Sequence, residues 1–545
     1  MNHLVLTDYL VFLTYFVLVV GYGYWVYQRK RNPETNTTDF FLAEGSLTWW
    51  AIGASLIASN ISAEHFIGMA GSGFAMGLAI SSYEWIAAAT LVIVAAYFIP
   101  IYLRNHIYTM PQFLAQRYSD TVSTILAVFW LVVYVLVNLT SILYLGAIAI
   151  ESLAGLSFTV CTIGLAVFAI FITLGGMKVI GYTDVVQVVV LVIGGLVVTY
   201  LALELVADKS GTTGVWNGLV SLRERADSHF HMYFEKGHPH YLELPGLSLV
   251  LGGMWINNLY YWGCNQYIVQ RALGADLKTA RSGILFAAFL KLLIPIIVVI
   301  PGIAAFVLYQ EGTFQAAMTD GAGLVKPDHA YPVLMNLLPA GMKGLAFAAL
   351  TAAVVASLAG KSNSIATIFT LDLYRKYVAP DASERQLVRV GRWAVVVSFA
   401  IAIALAPLLR SLDQVYQYIQ EYTNFITPGI FTIFLMGFFW KRATNRAALT
   451  VALLTIPLSV LLKFWPDVTA LFGTAADPIP FLHRTMWVFC LDMVLMVVVT
   501  LTDPASHTPA RTVTVERSMF RLTPSFVAGS VGIFAILAVL YTLFW

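Results

Sequence analysis

Long apolar stretches separated by short polar segments run along nearly the whole chain. A helix that crosses a bilayer needs about 20 consecutive, mostly apolar residues, and fourteen stretches meet this requirement. They lie at roughly 5–27, 46–76, 80–103, 121–153, 157–177, 181–205, 245–268, 280–309, 332–373, 388–409, 412–440, 446–465, 481–502 and 522–544. The pattern predicts an all-α polytopic membrane protein with about 14 transmembrane helices, in a single domain that covers residues 1–545.

Composition supports this prediction and argues against other classes of protein. The chain of 545 residues is 59% hydrophobic and 11% charged, with a mean hydropathy of +0.79, whereas soluble domains carry about 25% charged residues. A net charge of +2 gives no sign of a nucleic-acid partner, and the three scattered cysteines match no disulfide framework or zinc motif. The sequence contains no nucleophile–His–Asp set, phosphate loop or HExxH motif, so we expect neither an enzyme nor a bound cofactor.

The distribution of basic residues orients the predicted helices. Cytoplasmic loops of membrane proteins are enriched in Lys and Arg. If both termini lie outside, twenty of the 31 Lys and Arg residues, Arg271 among them, fall in cytoplasmic segments and nine fall in outer ones. We therefore expect a multi-pass protein of the cell membrane whose N- and C-termini are on the outer side.

The longest polar stretch, residues 206–244, is predicted to be an outer loop. It contains His229, His231, His238 and His240, with Asp227 and Glu235 nearby as further metal ligands. Their spacing matches no zinc motif, so solvated loop residues are the favoured interpretation and a metal site is the alternative.

Two of the predicted spans contain polar residues and glycines that interrupt the apolar run. The second contains SNISAEH (59–65) and the seventh contains GGMWINNLYYWGCNQ (252–266). Broken helices in corresponding positions are typical of transporters built from inverted repeats, whose unwound backbone carbonyls coordinate cations near the middle of the membrane. We therefore expect a leading helix at 5–27, repeats at 46–205 and 245–440, and trailing helices at 446–545.

Other polar residues within the predicted spans indicate the chemistry of the solute. Such residues are costly in a bilayer and mark a transport pathway; here they include Glu84, Asn138, Lys291, Lys361 and Gln420. Carboxylates, amides and aromatic faces together suit a hydroxylated ring, which needs hydrogen-bond partners at its edge and a stacking surface at its face.

Several segments also resemble a known family. The resemblance is carried by GASLIASNISAEHFIGMAGSG (53–73), SYEW (82–85), VNLTSILYLG (137–146), NLYYWGCNQYIVQR (258–271), FAAFLKLLIP (286–295), NSIATIFTLDLY (363–374) and QYIQEYTNFITPGI (417–430). These are similar to the sodium/solute symporters, in particular to the sodium/glucose cotransporter branch and its bacterial sodium/galactose members. The resemblance implies the leucine-transporter fold, a five-plus-five inverted repeat with one extra N-terminal and three extra C-terminal helices. It also implies sodium-coupled symport of a hexose, glucose or galactose, by alternating access.

The resemblance assigns roles to individual residues. The positions implied to bind the sugar are Asn60, His65, Glu84, Asn258, Tyr261, Lys291 and Gln420. The gate positions are Met69, Tyr83, Asn138, Tyr416 and again Tyr261, which is expected to stack on the sugar ring and close the inner gate. Sodium, the implied coupling ion, would be held by the carbonyls of Ala58, Ile61 and Ala353 and the hydroxyl of Ser357, with Asp184 on its exit route.

This sequence departs from the family pattern at several positions. His65 stands where the bacterial sodium/galactose members have glutamine and the animal glucose carriers have histidine, and Ala87 replaces a sugar-facing serine. Ala356 replaces one of two adjacent hydroxyl residues at the sodium site, and Lys361 lies about one turn beyond that site on the same helix. We hypothesise that Lys361 and Asp184 form an ion pair near the sodium exit that weakens or replaces sodium binding. The alternative is a lysine that extends toward the membrane surface and leaves sodium coupling intact.

Other functions compete with sodium-coupled hexose symport. They are a sodium-independent or proton-linked sugar carrier, and a symporter for another solute such as inositol or a sialic acid. A membrane solute sensor is an alternative from a different class. It usually requires a fused output domain, which we do not expect here, because the sequence ends just after the last predicted span.

Overall fold

The structure of the chain, a computed structural model, describes residues 4–30, 47–319, 323–336, 338–411, 415–474, 476–507 and 513–545. Within these ranges the side chains of residues 27, 30, 176–179, 248, 411 and 415–418 are not described. The described backbone consists of helices and loops, apart from one isolated β-bridge between Thr319 and Val325. The predicted all-α class is confirmed.

Helices occupy all fourteen predicted positions of the described chain, and we number them α1 to α14, counting each broken helix once. They are α1 (Leu6–Lys30), α2 (Trp49–Asn60 and 64–76), α3 (82–104), α4 (Asp120–Ala154), α5 (Phe158–Leu174), α6 (Gly176–Lys209), α7 (Gly246–Leu251, Gly253–Gly263 and Gln266–Leu273), α8 (Leu277–Gln310), α9 (Met342–Val378), α10 (Glu384–Leu405), α11 (Val415–Thr423 and Thr427–Phe439), α12 (Asn445–Lys463), α13 (Phe481–Thr502) and α14 (Pro524–Leu543). Short helices at Met110–Arg117, Val215–Arg225, Gln315–Met318, Ala330–Asn336 and Trp465–Ala470 lie in the connections.

In the described chain, ten helical segments are long and apolar enough to cross a membrane. Two further apolar helices, Phe158–Leu174 and Thr427–Phe439, are shorter. The predicted span at 332–373 is wrong at its start. Residues 330–336 form a separate short helix, and α9 begins only at Met342. The helix cannot run through Gly341, because its φ of 85° belongs to the left-handed region.

The break in α2 is set by local backbone chemistry. The first half ends at Asn60, because Ile61 has an extended backbone with φ −74° and ψ 121°. Ser62 then starts the second half: its hydroxyl accepts the backbone N–H of Glu64 at 3.1 Å, and its own N–H donates to Nδ1 of His65 at 3.3 Å. The carbonyls at the end of the first half are therefore released from the helical hydrogen-bond pattern, as are the first N–H groups of the second half.

Both halves of α2 pack closely against α8, because glycines lie at the contacts. A Cβ added to Gly53 would lie 2.6 Å from the carbonyl oxygen of Gly283, and one added to Gly302 would lie 2.2 Å from that of Ala70. Only a residue without a side chain permits such an approach. The broken helix is thereby fixed against the helix that carries Lys291.

Part of the loop at 206–244 packs against the rest of the protein, whereas His231 and His238 are exposed, as predicted. Its Met232 N–H donates to the carbonyl of Phe544 at 2.7 Å, which ties the loop to the end of α14. His229 stacks on Phe306 at a centroid distance of 3.9 Å, its Nε2 lies 3.1 Å from the carbonyl oxygen of Phe74, and burial lowers its pKa. Among the described residues, no group of three His, Cys, Asp or Glu side chains is placed to hold a metal ion.

Candidate functional site

A cavity lies between the broken helices α2, α7 and α11 and their neighbours α3, α4, α8 and α9. Its empty volume is about 790 Å³, a figure that includes open solvent at its mouth. The lining contains all seven residues predicted to bind the sugar, namely Asn60, His65, Glu84, Asn258, Tyr261, Lys291 and Gln420. The other lining residues are Glu64, Tyr83, Ala87, Asn138, Asn257, Tyr260, Trp262, Asn265, Tyr267, Lys361, Ile419 and Thr423.

A buried ion pair lies in the wall of this cavity. The ammonium of Lys291 on α8 lies 2.5 Å from a carboxylate oxygen of Glu84 on α3, and both side chains are at least 96% buried. The same ammonium donates to the amide oxygen of Asn60 and lies 5.2 Å from the ring centroid of Trp262. His65 Nε2 approaches the other carboxylate oxygen at 3.4 Å. Four polar side chains from three helices thus form one network in the cavity wall, and its charged and amide groups are suited to hydrogen bonds with hydroxyl groups.

Tyr261 on α7 links Asn60 of this network to Tyr267. Its hydroxyl accepts the amide of Asn60 at 2.8 Å and is also hydrogen-bonded to the hydroxyl of Tyr267. The two tyrosine rings meet edge to face, with their centroids 5.6 Å apart. A partly buried aromatic ring held by two hydrogen bonds is suited both to stack on a sugar ring and to block the passage of a solute out of the cavity.

The structure brings some of the predicted gate residues to the cavity and not others. Tyr83 and Asn138 line it. Met69 is fully buried in the second half of α2 and is not part of the lining. The side chain of Tyr416 lies outside the described residues.

Oxygen atoms converge at the break in α2. The hydroxyl oxygen of Ser357 on α9 lies 3.2 Å from the carbonyl oxygen of Ala58, 3.0 Å from that of Ser59 and 2.9 Å from that of Ile61. A hydroxyl has one proton and can donate it to only one of these three acceptors at a time. Ala353, also predicted to be a ligand, is buried one turn earlier on α9. The donor set of carbonyl and hydroxyl oxygens fits a hard cation such as sodium.

The cavity and these oxygens share one short segment of α2. Asn60 presents its side chain to Lys291 and Tyr261, while the carbonyls of Ala58 and Ile61, on either side of it, face Ser357. A cation at Ser357 would therefore fix the backbone that positions Asn60 in the cavity.

The predicted ion pair between Lys361 and Asp184 is not formed. Asp184 accepts the hydroxyl of Ser55 at 2.5 Å and lies 3.8 Å from the guanidinium of Arg271, which itself donates to the Ser55 hydroxyl at 2.8 Å. All three side chains are fully buried. Arg271, assigned above to a cytoplasmic segment, is instead an interior residue. The basic side chain beside Asp184 is therefore that of Arg271.

Lys361 lies elsewhere, at the wall of the central cavity. Its side chain is 5% exposed, and its ammonium is 5.1 Å from the ring centroid of Tyr267. The carboxylate whose charge acts on it is that of Glu64, which accepts the hydroxyl of Ser141 at 3.1 Å. The alternative interpretation, a lysine that extends toward the membrane surface, does not match this position either.

Several lining residues were not predicted from the sequence. Glu64, Asn257, Asn265 and Tyr267 were visible within the polar interruptions, but spacing along one helix does not reveal which of its residues face the cavity. The carbonyl oxygen of Ser59, which also faces the Ser357 hydroxyl, was not predicted for the same reason.

Comparison with known proteins agrees with the geometry of the site. The sequence profile described as "Sodium:solute symporter family" matches residues 40–455. The chain belongs to this family. It is 45% identical to the sodium/glucose cotransporter of Vibrio parahaemolyticus, with 99% of this chain and 98% of that protein covered. It is 34% identical to sodium/myo-inositol cotransporter 2 of Mus musculus, with 83% of this chain and 69% of that protein covered.

Solved structures show the fold of this symporter. A Na⁺-coupled sialic acid symporter in an outward-open state superposes with a TM-score of 0.76 at 19% identity, covering 93% of this chain and 99% of that one. Mhp1, a nucleobase-cation-symport-1 family transporter, superposes with a TM-score of 0.53 at 15% identity, covering 92% of this chain and 99% of that one. The predicted leucine-transporter fold is confirmed, and the protein is a multi-pass membrane transporter and not an enzyme.

Proposed function

We propose that this symporter carries a hexose, glucose or galactose, across the plasma membrane together with sodium, by alternating access. The observation that carries the proposal is the shared segment of α2, where Asn60 faces the cavity and its neighbouring carbonyls face Ser357. The name of the 45% identical Vibrio protein, a sodium/glucose cotransporter, supports the same pairing of solute and ion.

The sugar is bound by the network around the Glu84–Lys291 pair. The carboxylate accepts hydrogen bonds from sugar hydroxyl groups, and the ammonium and the amides of Asn60, Asn258 and Gln420 donate hydrogen bonds to hydroxyl oxygens. Tyr261 stacks on the ring and must move before the sugar leaves toward the cytoplasm. Tyr83, Met69 and Tyr416 close the opposite side, and Asn138 braces the inner gate.

Sodium binds at Ser357 and the carbonyls of Ala58, Ile61 and Ala353, and it favours the state that is open to the outside. Coupling requires each ligand to bind one state more tightly than the other, since equal affinities shift nothing. Sodium then leaves past Asp184. In this proposal both termini are outside, the leading helix covers 5–27, the repeats cover 46–205 and 245–440, and the trailing helices cover 446–545.

Sodium-coupled transport of a cyclic polyol such as inositol is the second candidate. The sodium/myo-inositol cotransporters at 34% identity favour it, and so does Ala87, which lines the cavity without offering a hydroxyl. A sialic acid would need a cation for its carboxylate: Lys291 is already paired with Glu84, which leaves Lys361 as the other lysine of the lining.

Uptake into proteoliposomes tests the proposal. An inward sodium gradient is expected to drive labelled galactose or glucose above its equilibrium level, and an equal potassium gradient is not. Counterflow with a panel of glucose, galactose, myo-inositol and sialic acid identifies the solute. Equal uptake with and without the sodium gradient would refute the sodium coupling.

A further inference from the structure

Lys361 is a positive charge inside the protein that neither the sugar network nor the cation oxygens require. It lies four residues after Ser357 on α9, which places the two Cα atoms about 6 Å apart along the helix axis. The side chain is 5% exposed, lines the cavity and rests against the ring of Tyr267. Its charge is therefore held within the membrane-embedded part of the protein and close to the converging oxygens at the break in α2.

No direct counter-ion neutralises this charge. In the part of the chain that the structure describes, Lys361 makes no ion-pair contact, and Asp184 is engaged by Arg271 and Ser55. The carboxylate whose charge acts on Lys361 is that of Glu64, which also lines the cavity and accepts a hydrogen bond from the hydroxyl of Ser141. An interaction between charges weakens with distance but acts strongly where the dielectric constant is low.

We propose that Lys361 is an affinity-determining residue that weakens sodium binding at the Ser357 oxygens by electrostatic repulsion, and that Glu64 partly offsets it. This rests on the proposed sodium coupling and deepens it. The ion pair hypothesised from the sequence required Asp184, whereas the present proposal requires only the fixed charge of Lys361 near the cation. With Ala356 adding no hydroxyl, the site has few oxygens with which to resist that repulsion.

The repulsion is tested by removing the charge and measuring sodium binding without sugar. K361M and K361Q differ in shape and polarity, but both are neutral. The readout is the rise in thermal unfolding temperature of the purified protein with sodium concentration, because a ligand that binds only the folded state stabilises it by RT ln(1 + [L]/Kd). Both variants are expected to reach the wild-type rise in unfolding temperature at about one tenth of the sodium concentration, and K361R is expected to follow the wild-type curve.

Two further variants separate charge from packing. K343M removes a buried lysine near the start of the same helix, fourteen residues before Ser357 and about 21 Å away along the axis, and is expected to leave sodium binding unchanged. E64Q removes the offsetting charge and is expected to weaken sodium binding. Because Glu64 offsets only part of the repulsion, the double variant K361M/E64Q is expected to bind sodium more weakly than K361M and more tightly than the wild type.

The outcomes distinguish this inference from the proposed function. If the wild type responds to sodium and K361M and K361Q respond at the same concentration, the inference is overturned and sodium coupling stands. It is also overturned if E64Q shifts the response in the same direction as K361M, or if K343M shifts it as far. If neither the wild type nor K361M responds to sodium, both proposals fail together.

Discussion

Removing one partner of the buried Glu84–Lys291 pair perturbs both stability and sugar binding. Both side chains are at least 96% buried, and their charged atoms lie 2.5 Å apart. Lys291→Met leaves the Glu84 carboxylate facing only His65 at 3.4 Å. Breaking a buried pair in this way costs about 3–5 kcal/mol of stability, because the remaining charge has no adequate partner. Glu84→Gln leaves the ammonium with Asn60 and the face of Trp262, and is expected to destabilise the protein by a similar amount.

The double variant Lys291→Met/Glu84→Gln separates the two effects. It leaves no unpaired charge at this position, so its unfolding temperature in detergent is expected to lie above that of either single variant. Its sugar affinity is not expected to recover. A hydrogen bond to a charged group contributes about 1.5–3 kcal/mol, so each single variant and the double variant should bind sugar roughly 10- to 150-fold more weakly in counterflow. Single variants as stable as the wild type, with sugar affinity within about twofold, would refute the assignment of this pair.

Three further predictions concern other parts of the site and its frame. Ser357→Ala removes the hydroxyl that faces the carbonyls of Ala58, Ser59 and Ile61 and is expected to raise the sodium concentration for half-maximal uptake at least tenfold. Tyr261→Phe keeps the stacking ring but loses its hydroxyl hydrogen bonds, at about 0.5–1.5 kcal/mol for a typical one, so counterflow should show a roughly 2- to 10-fold loss of sugar affinity. Asp8→Ala removes the carboxylate that accepts the backbone N–H groups of Gly341 and Gly344 at 2.7 and 2.9 Å. It should lower stability by about 2–4 kcal/mol, seen as a lower unfolding temperature, and leave sugar affinity unchanged.

Each of these predictions has a control or a contradicting result. Ser398→Ala removes a buried serine of α10 that bonds only within its own helix, and its sodium dependence should match that of the wild type. An equal shift in Ser357→Ala and Ser398→Ala would argue against a cation at Ser357. Unchanged affinity in Tyr261→Phe would exclude a role for the hydroxyl, and a change of sugar affinity in Asp8→Ala would show that α1 influences the cavity.

Much of the fold could be predicted from local patterns in the sequence. The helices follow from apolar length, and the break in α2 follows from a polar run in which Ser62 restarts the helix. The boundary near Gly341 was not predicted, because an apolar run does not reveal a residue with positive φ. The packing of α2 on α8 depends on glycines that face each other from distant parts of the sequence, and no local pattern specifies that pairing.

The residue types of the site could be predicted, but the partners of its charges could not. Four-residue spacing indicated that Ser357 and Lys361 share a helix face. It did not reveal that Arg271 is buried, because a basic residue just after an apolar span is also typical of a cytoplasmic loop. With Ser55 bonded to both Arg271 and Asp184, the acid has a closer partner than Lys361. Which pairs form depends on how several helices are rotated against one another.

The most direct test of the central claim is the sugar affinity of the purified protein, measured with and without sodium. If Asn60 and the carbonyls that face Ser357 form one coupled segment, sodium must tighten hexose binding, and the hexose must tighten sodium binding by the same factor. We predict equal factors of about fivefold or more in the two titrations. A hexose affinity that is identical in sodium and in potassium would contradict the account.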